Sequence, residues 1–141
     1  NIYMIDGSLK DNIAFGIPKD KINYKRVEEV AKLAQIGSLI DNPVGERGVK
    51  LSGGQLQRVG IARALYKNDA EILFLDEATS ALDFETELEI MRTINNLEKK
   101  YTILIIAHRL SSLKECDVII EVKNGAIQSG SYNKMIKENN Q

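Results

Sequence analysis

The chain has 141 residues, 43% hydrophobic and 28% charged, a composition that excludes an intrinsically disordered protein. A formal net charge of -1 gives no electrostatic ground for general nucleic-acid binding, leaving only a local basic patch as a route to it. Cys116 is the single cysteine, which excludes a disulfide within the chain.

The N-terminus lacks a signal-peptide core, because Asp6, Lys10 and Asp11 interrupt it. Asn23 caps a predicted helix through about Gln35, with Val27, Val30, Ala31 and Ala34 on one apolar stripe and Gly37 as the expected stop. The glycine-punctuated loop Pro43-Val44-Gly45-Glu46-Arg47-Gly48 leads into Leu51-Ser52-Gly53-Gly54-Gln55, where a second helix begins and runs to about Tyr66. Ile72–Leu75 is a continuous apolar run ending in Asp76-Glu77, the pattern of a buried parallel strand. Phe84 to about Lys99 reads as a helix that buries Leu88, Met91 and Leu97, and Thr102–Ala107 as a second buried strand. Ser111 is placed to cap a short helix. Val118–Val122 and Ala126–Ser129 flank Lys123-Asn124-Gly125, a hairpin signal, and a last helix starts near Ser131. Alternating strands and helices predict an α/β sheet with right-handed crossovers. The apolar runs at Ile72–Leu75 and Ile103–Ala107 are far shorter than the ~20 residues of a membrane span.

Four short stretches carry possible chemistry, each with a structural alternative. Ser52 and Gln55 have capping-box spacing. Two glycines in a first turn are poor helix formers, but they let backbone N–H groups at the positive helix end approach an anion. The alternative is an ordinary capped helix. Asp76-Glu77 stands where ligands bind in open α/β sheets, one carboxylate suited to Mg²⁺ through water and its neighbour to an attacking water. The alternative is a solvated acidic strand end. His108, the only histidine, follows the second strand and could meet a phosphate or water there, or serve the fold alone. Asp83 fits equally well as the N-cap of the helix after it.

Taken in order, these stretches resemble the ATP-binding cassette family along essentially the whole chain. Leu51–Gln55, continuing through Gln57-Arg58 and Ile61-Ala62-Arg63-Ala64-Leu65, is similar to the family signature motif and its helix. Ile72–Glu77 is similar to the Walker B strand, Ser80-Ala81-Leu82-Asp83 to the D-loop, and Ile106-Ala107-His108-Arg109-Leu110 to the switch-histidine segment. Gly7–Gly16 resembles the segment after the Q-loop in exporter-type cassettes, and Val44–Gly48 the exporter X-loop. The second match makes Glu46 and Arg47 candidate contacts to a membrane domain, or else part of a charged surface turn.

The resemblance implies a partial P-loop NTPase (RecA-like) parallel sheet carrying the cassette's α-helical subdomain. Residues 1–70 would be the helical subdomain and 71–141 the C-terminal part of the ATPase core. It implies ATP and Mg²⁺, with Ser52, Gly53, Gly54 and Gln55 acting on nucleotide held by a second cassette. Asp76 would organise Mg²⁺, Glu77 would be the general base, His108 would sense the γ-phosphate, and Asp83 would link the sites. It further implies a second nucleotide-binding domain, an exporter transmembrane domain at the cytoplasmic face of a membrane, and no nucleic acid.

The sequence departs from the family pattern in having no G-x-x-x-x-G-K-[ST] loop, so the chain reads as a fragment, expected to be inactive alone. The family strand that leads to that loop lies between Thr102–Ala107 and Val118–Val122, so a gap of about two strand spacings, ~9–10 Å, is expected there. Ala70 stands where the family often has proline, away from the chemistry. Two other readings remain: a soluble cassette ATPase acting on DNA ends, ribosomes or cluster assembly, and a chain unable to bind nucleotide alone.

Overall fold

The computed structural model describes residues 2–45, 48–67, 69–97 and 101–139. Glu46 and Arg47, the expected coupling contacts, lie outside the described residues, as does Lys99, the expected end of the third predicted helix.

Three helices make the first half. Helix α1, Leu9–Ile13, has no counterpart among the elements expected from sequence. It is short, but Ser8 and Asp11 close a complete capping box around its start. Helix α2, Tyr24–Leu33, begins where Asn23 Oδ1 accepts the Arg26 N–H at 3.0 Å. The stripe Val27, Val30, Ala31 and Ala34 is fully buried, as its spacing requires. The helix stop differs from expectation. Gln35, not Gly37, takes the left-handed conformation at φ 55°, while Gly37 opens a 3₁₀ turn over Gly37–Leu39. Gln35 N–H donates to Lys32 O and Ile36 N–H to Ala31 O, a Schellman closure completed by the buried Ile36 side chain. Arg58 reinforces it by donating to Gln35 O at 2.8 Å. Those bonds hold a conformation that composition assigns to glycine.

Helix α3, Gly53–Tyr66, packs on both α1 and α2 and buries Val59, Ile61, Ala62 and Leu65. Its Arg63 ties the N-terminal segment down. The guanidinium donates to Asn12 O and Tyr3 O, each at 2.6 Å, and lies 4.8 Å from the Phe15 ring centroid. The loop before α3 is clipped to α1 as well, since Val44 N–H donates to Gly7 O at 3.0 Å and Ser8 bridges Pro43.

The second half holds the strands. Strands β1, Ile72–Asp76, and β2, Thr102–Ile106, pair in parallel from Ile72 opposite Thr102 to Asp76 opposite Ile106. Helix α4, Phe84–Asn95, connects them and turns Glu87, Ile90, Met91 and Ile94 inward. Of the residues expected inside, Met91 is buried, Leu97 packs partly against the core, and Leu88 is half-buried. The continuous apolar runs predicted fully buried strands, yet only one face is covered. Leu73 and Leu75 are buried, whereas Phe74 is 58% and Leu104 49% exposed. With one face covered, burial alternates along the strand.

Ser111 falls within a 3₁₀ turn, Leu110–Leu113, rather than before a helix. Strands β3, Ile119–Lys123, and β4, Ala126–Gly130, form the expected hairpin, with Asn124 at φ 51° and Gly125 at φ 77° supplying the primed turn. Helix α5, Tyr132–Asn139, follows. Among the described residues the hairpin is a separate sheet from β1–β2, so β2 and β3 are not paired. One buried core nevertheless runs from Met4 to Ile94, across the boundary between the two halves.

Candidate functional site

The start of α3 and the end of β1 meet through the turn that follows β1. Ser52 closes its capping box in full, with Gln55 N–H donating to Ser52 Oγ at 3.2 Å and Ser52 N–H to Gln55 Oε1 at 2.8 Å. The two glycines have different surroundings. A Cβ on Gly53 would sit 3.7 Å from Ala81 Cβ, which is ordinary contact, but one on Gly54 would press to 3.2 Å on Ala81 O and on Leu82 Cδ2. Gly54 therefore has a packing reason that the sequence does not disclose. Gly53 does not.

Strand β1 delivers Asp76 exposed at its end, and the chain then turns sharply at Glu77, which takes φ 47°. A left-handed conformation costs a residue with a Cβ about 1–2 kcal/mol, so its neighbours must hold it. Glu77 N–H donates to Ile106 O at 2.9 Å, extending the β1–β2 register by one bond, and Ser80 N–H donates to Glu77 O at 3.1 Å. The kink turns the Glu77 side chain toward β2, where Oε1 meets His108 Nε2 at 2.7 Å. The Glu77 carboxylate and the His108 imidazole, given separate roles at the level of sequence, are thus in direct contact. Both are open to solvent.

A shallow cleft of about 550 Å³ lies between α3 and β1, lined by Gly53, Leu56, Gln57, Phe74, Asp76 and Glu77. Asp83 stands apart from it, and its cap alternative is realised. Its Oδ2 accepts from Thr86 N–H at 3.1 Å and its Oδ1 from Thr86 Oγ1 at 2.8 Å. Those bonds, the backbone one foremost, hold the Asp83 carboxyl below its ordinary range.

Two residues outside the sequence-level site matter to its geometry. Gln57 bridges α3 to the turn after β1, bonding Glu77 O, Ser80 Oγ and Ala81 N. Glu87 is a buried carboxylate on α4 that accepts from Thr79 Oγ1 at 3.1 Å, Arg109 Nη1 at 2.5 Å and Ser112 Oγ. Burial pushes its carboxyl up, and the bonds from Ser112, Arg109 and Thr79 outweigh that, holding it below its ordinary value. Arg109 also donates to Leu82 O at 3.2 Å, so the residue after His108 is fixed to the turn after β1. A glutamate in a helix reads as solvated surface, which is why sequence alone passes over it.

A capped glycine start, two carboxylates at the end of a parallel strand and a histidine just past the next strand come together in an α/β fold, at a place where such folds bind ligands. The profile of the ABC transporter family matches residues 6–80, and the chain belongs to that family. It is 46% identical over 147 residues to the multidrug resistance-like ATP-binding protein MdlA of Buchnera aphidicola subsp. Schizaphis graminum (strain Sg), covering 98% of this chain and 25% of that protein. It is 39% identical over 145 residues to the ATP-dependent lipid A-core flippase of Escherichia coli (strain K12), covering 97% and 25%. Among solved structures it superposes on a bacterial Atm1-family ABC exporter with ATP bound, at a TM-score of 0.83 and 38% identity, over 97% of this chain and 25% of that one. The likeness is to the exporter type, and the chain spans about a quarter of the length of these relatives. No helix among the described residues is long and apolar enough to cross a membrane.

Proposed function

We propose that this chain is part of the ATP-hydrolysing engine of a membrane exporter. The observation that carries the reading is the 2.7 Å contact between Glu77 Oε1 and His108 Nε2 beside the capped glycine start of α3. Glu77 is the base that draws the proton from an attacking water, and His108 holds its carboxylate and faces the γ-phosphate. Ser52, Gly53 and Gly54 offer N–H groups and a hydroxyl to a triphosphate lodged in a second cassette, with Gln55 keeping the cap closed. Asp83 lies at the boundary between the two sites.

The donor set fits Mg²⁺, which takes one or two carboxylates and keeps several waters. Asp76 is an exposed carboxylate at the strand end, and among the described residues no cluster of three ligands forms an all-protein cage. Asp76 would hold the ion, and the ion would neutralise charge on the phosphates. The same reading divides the chain at residues 70 and 71, helical subdomain before and ATPase core after.

Nucleotide bridging two cassettes makes binding close the pair and hydrolysis release it, a shift between two states. A transmembrane domain would receive that motion at the cytoplasmic face. Glu46 and Arg47 are proposed for that contact, and the residues just before them, Pro43 and Val44, are bonded to Ser8 and Gly7 ahead of α1. The test is ATP turnover by the full-length protein in membranes: Ser52→Arg should abolish it while nucleotide stays bound. Undiminished turnover in that variant would remove the two-cassette reading.

A further inference from the structure

Gln57 sits one turn into α3, and all three bonds of its side-chain amide go to the turn after β1. Nε2 donates to Glu77 O at 3.2 Å and to Ser80 Oγ at 2.9 Å, while Oε1 accepts from Ala81 N–H at 2.9 Å. Both donor hydrogens and the acceptor oxygen are therefore used. The partners are telling. Glu77 is the residue held at φ 47°, and its carbonyl is fixed by Ser80 N–H and Gln57 Nε2 together. Its side chain is the one in contact with His108. Beyond Gln57, Gly54 packs closely on Ala81, where a Cβ would press to 3.2 Å on Ala81 O. The start of α3 and the turn carrying Glu77 are one mechanical unit, joined by close packing at Gly54 and by hydrogen bonds at Gln57.

We propose that Gln57 is a positioning residue that makes the orientation of Glu77 depend on the helix start of its own chain. This rests on the function proposed above, in which that start grips nucleotide held elsewhere. Engagement of Gly53 and Gly54 then fixes α3, Gln57 fixes the Ser80–Ala81 turn and the Glu77 carbonyl, and the Glu77 carboxylate is aimed at its water. A site whose helix start is unengaged has a less well-aimed base. Two sites linked in this way fire in dependence on each other, without any contact between Gln57 and nucleotide.

The experiment compares ATP turnover of the full-length protein carrying Gln57→Ala, Gln57→Glu, Ser80→Ala, Gln57→Ala with Ser80→Ala, and Glu77→Gln. Misaiming a base by a fraction of an ångström predicts a fall in kcat of about tenfold to a hundredfold for both Gln57 variants, with KM for ATP unchanged within about twofold. Gln57→Glu keeps the acceptor for Ala81 and loses the donors to Glu77 O, so it separates aiming from packing if the alanine variant is poorly folded. The double variant should match Gln57→Ala alone, because the two share one bond. Full kcat in both Gln57 variants beside a dead Glu77→Gln overturns this proposal alone. A kcat loss matched by a raised KM and a lowered melting temperature overturns it too, in favour of a purely structural role. Full activity in Glu77→Gln overturns the function on which it rests.

Discussion

His108 Nε2 lies 2.7 Å from Glu77 Oε1, joining the segments that follow two adjacent parallel strands. The contact needs the left-handed turn at Glu77, because a strand continuing straight from Asp76 would not swing the next side chain toward β2. General-base removal typically costs about 10²–10⁴ in rate. Glu77→Gln in the full-length protein should therefore retain ATP and lose turnover by at least about a hundredfold. The measurement pairs phosphate release with retained nucleotide, and rapid release would take Glu77 out of the base role.

Glu87 predicts a stability effect with a pH signature. It is only 2% exposed and shares its carboxylate among Thr79, Arg109 and Ser112. Truncation by Glu87→Ala leaves those donors unpaired and the Arg109 charge without its partner, a loss of about 3–5 kcal/mol for a buried pair. Arg109 is partly exposed, so the lower end is expected. The folded carboxyl titrates below its ordinary value. Its stabilisation is thus complete above the unfolded value near ~4.3 and disappears as pH falls through the depressed folded value. Melting of the wild type should steepen its decline below about pH 4.3, and Glu87→Gln should flatten that limb. Parallel pH curves for the two proteins would show that Glu87 is not the group responsible.

Much of this architecture was legible because it is written in local patterns. The stripe Val27, Val30, Ala31 and Ala34, the Ser52–Gln55 box and the Asn124-Gly125 turn each depend on neighbours in sequence. What escaped depends on distant partners. Gln35 replaces the glycine expected at the stop of α2 because Arg58, 23 residues away, bonds its carbonyl. Glu87 is buried because Arg109 and Ser112 come from beyond β2. Gly54 is crowded by Ala81 only once the turn after β1 folds onto α3. The motifs marked the site, while its bracing residues had no local signal.

Ser52 has two separable duties. Ser52→Ala removes the hydroxyl that accepts Gln55 N–H and should lower stability by about 1 kcal/mol, with Gln55 still bonded to the Ser52 backbone. Ser52→Arg carries the same cap loss and adds bulk and charge on an exposed face. Both variants should therefore melt alike, while only the arginine prevents closure on nucleotide. Light scattering or cross-linking of ATP-bound protein reads closure directly. Equal closure by both would confine Ser52 to capping.

Gly53 and Gly54 offer the sharpest separation of anion access from packing. Alanine at Gly53 meets nothing closer than Ala81 Cβ at 3.7 Å, and it gains up to about 1 kcal/mol of helix propensity. The Gly53→Ala protein should therefore melt at or slightly above wild type. A phosphate brought against that N–H would meet the new methyl, so KM for ATP should rise even though the fold is unharmed. Gly54→Ala differs, because its Cβ would press to 3.2 Å on Ala81 O, a backbone atom, and the turn carrying Ser80 and Ala81 must move. That variant should lose both stability and kcat, since the displaced turn drags the Glu77 carbonyl through Gln57. Turnover kinetics and melting on the two variants give a two-by-two outcome. A Gly53→Ala protein with unaltered KM would mean that no phosphate approaches this helix end, whatever the effect at Gly54.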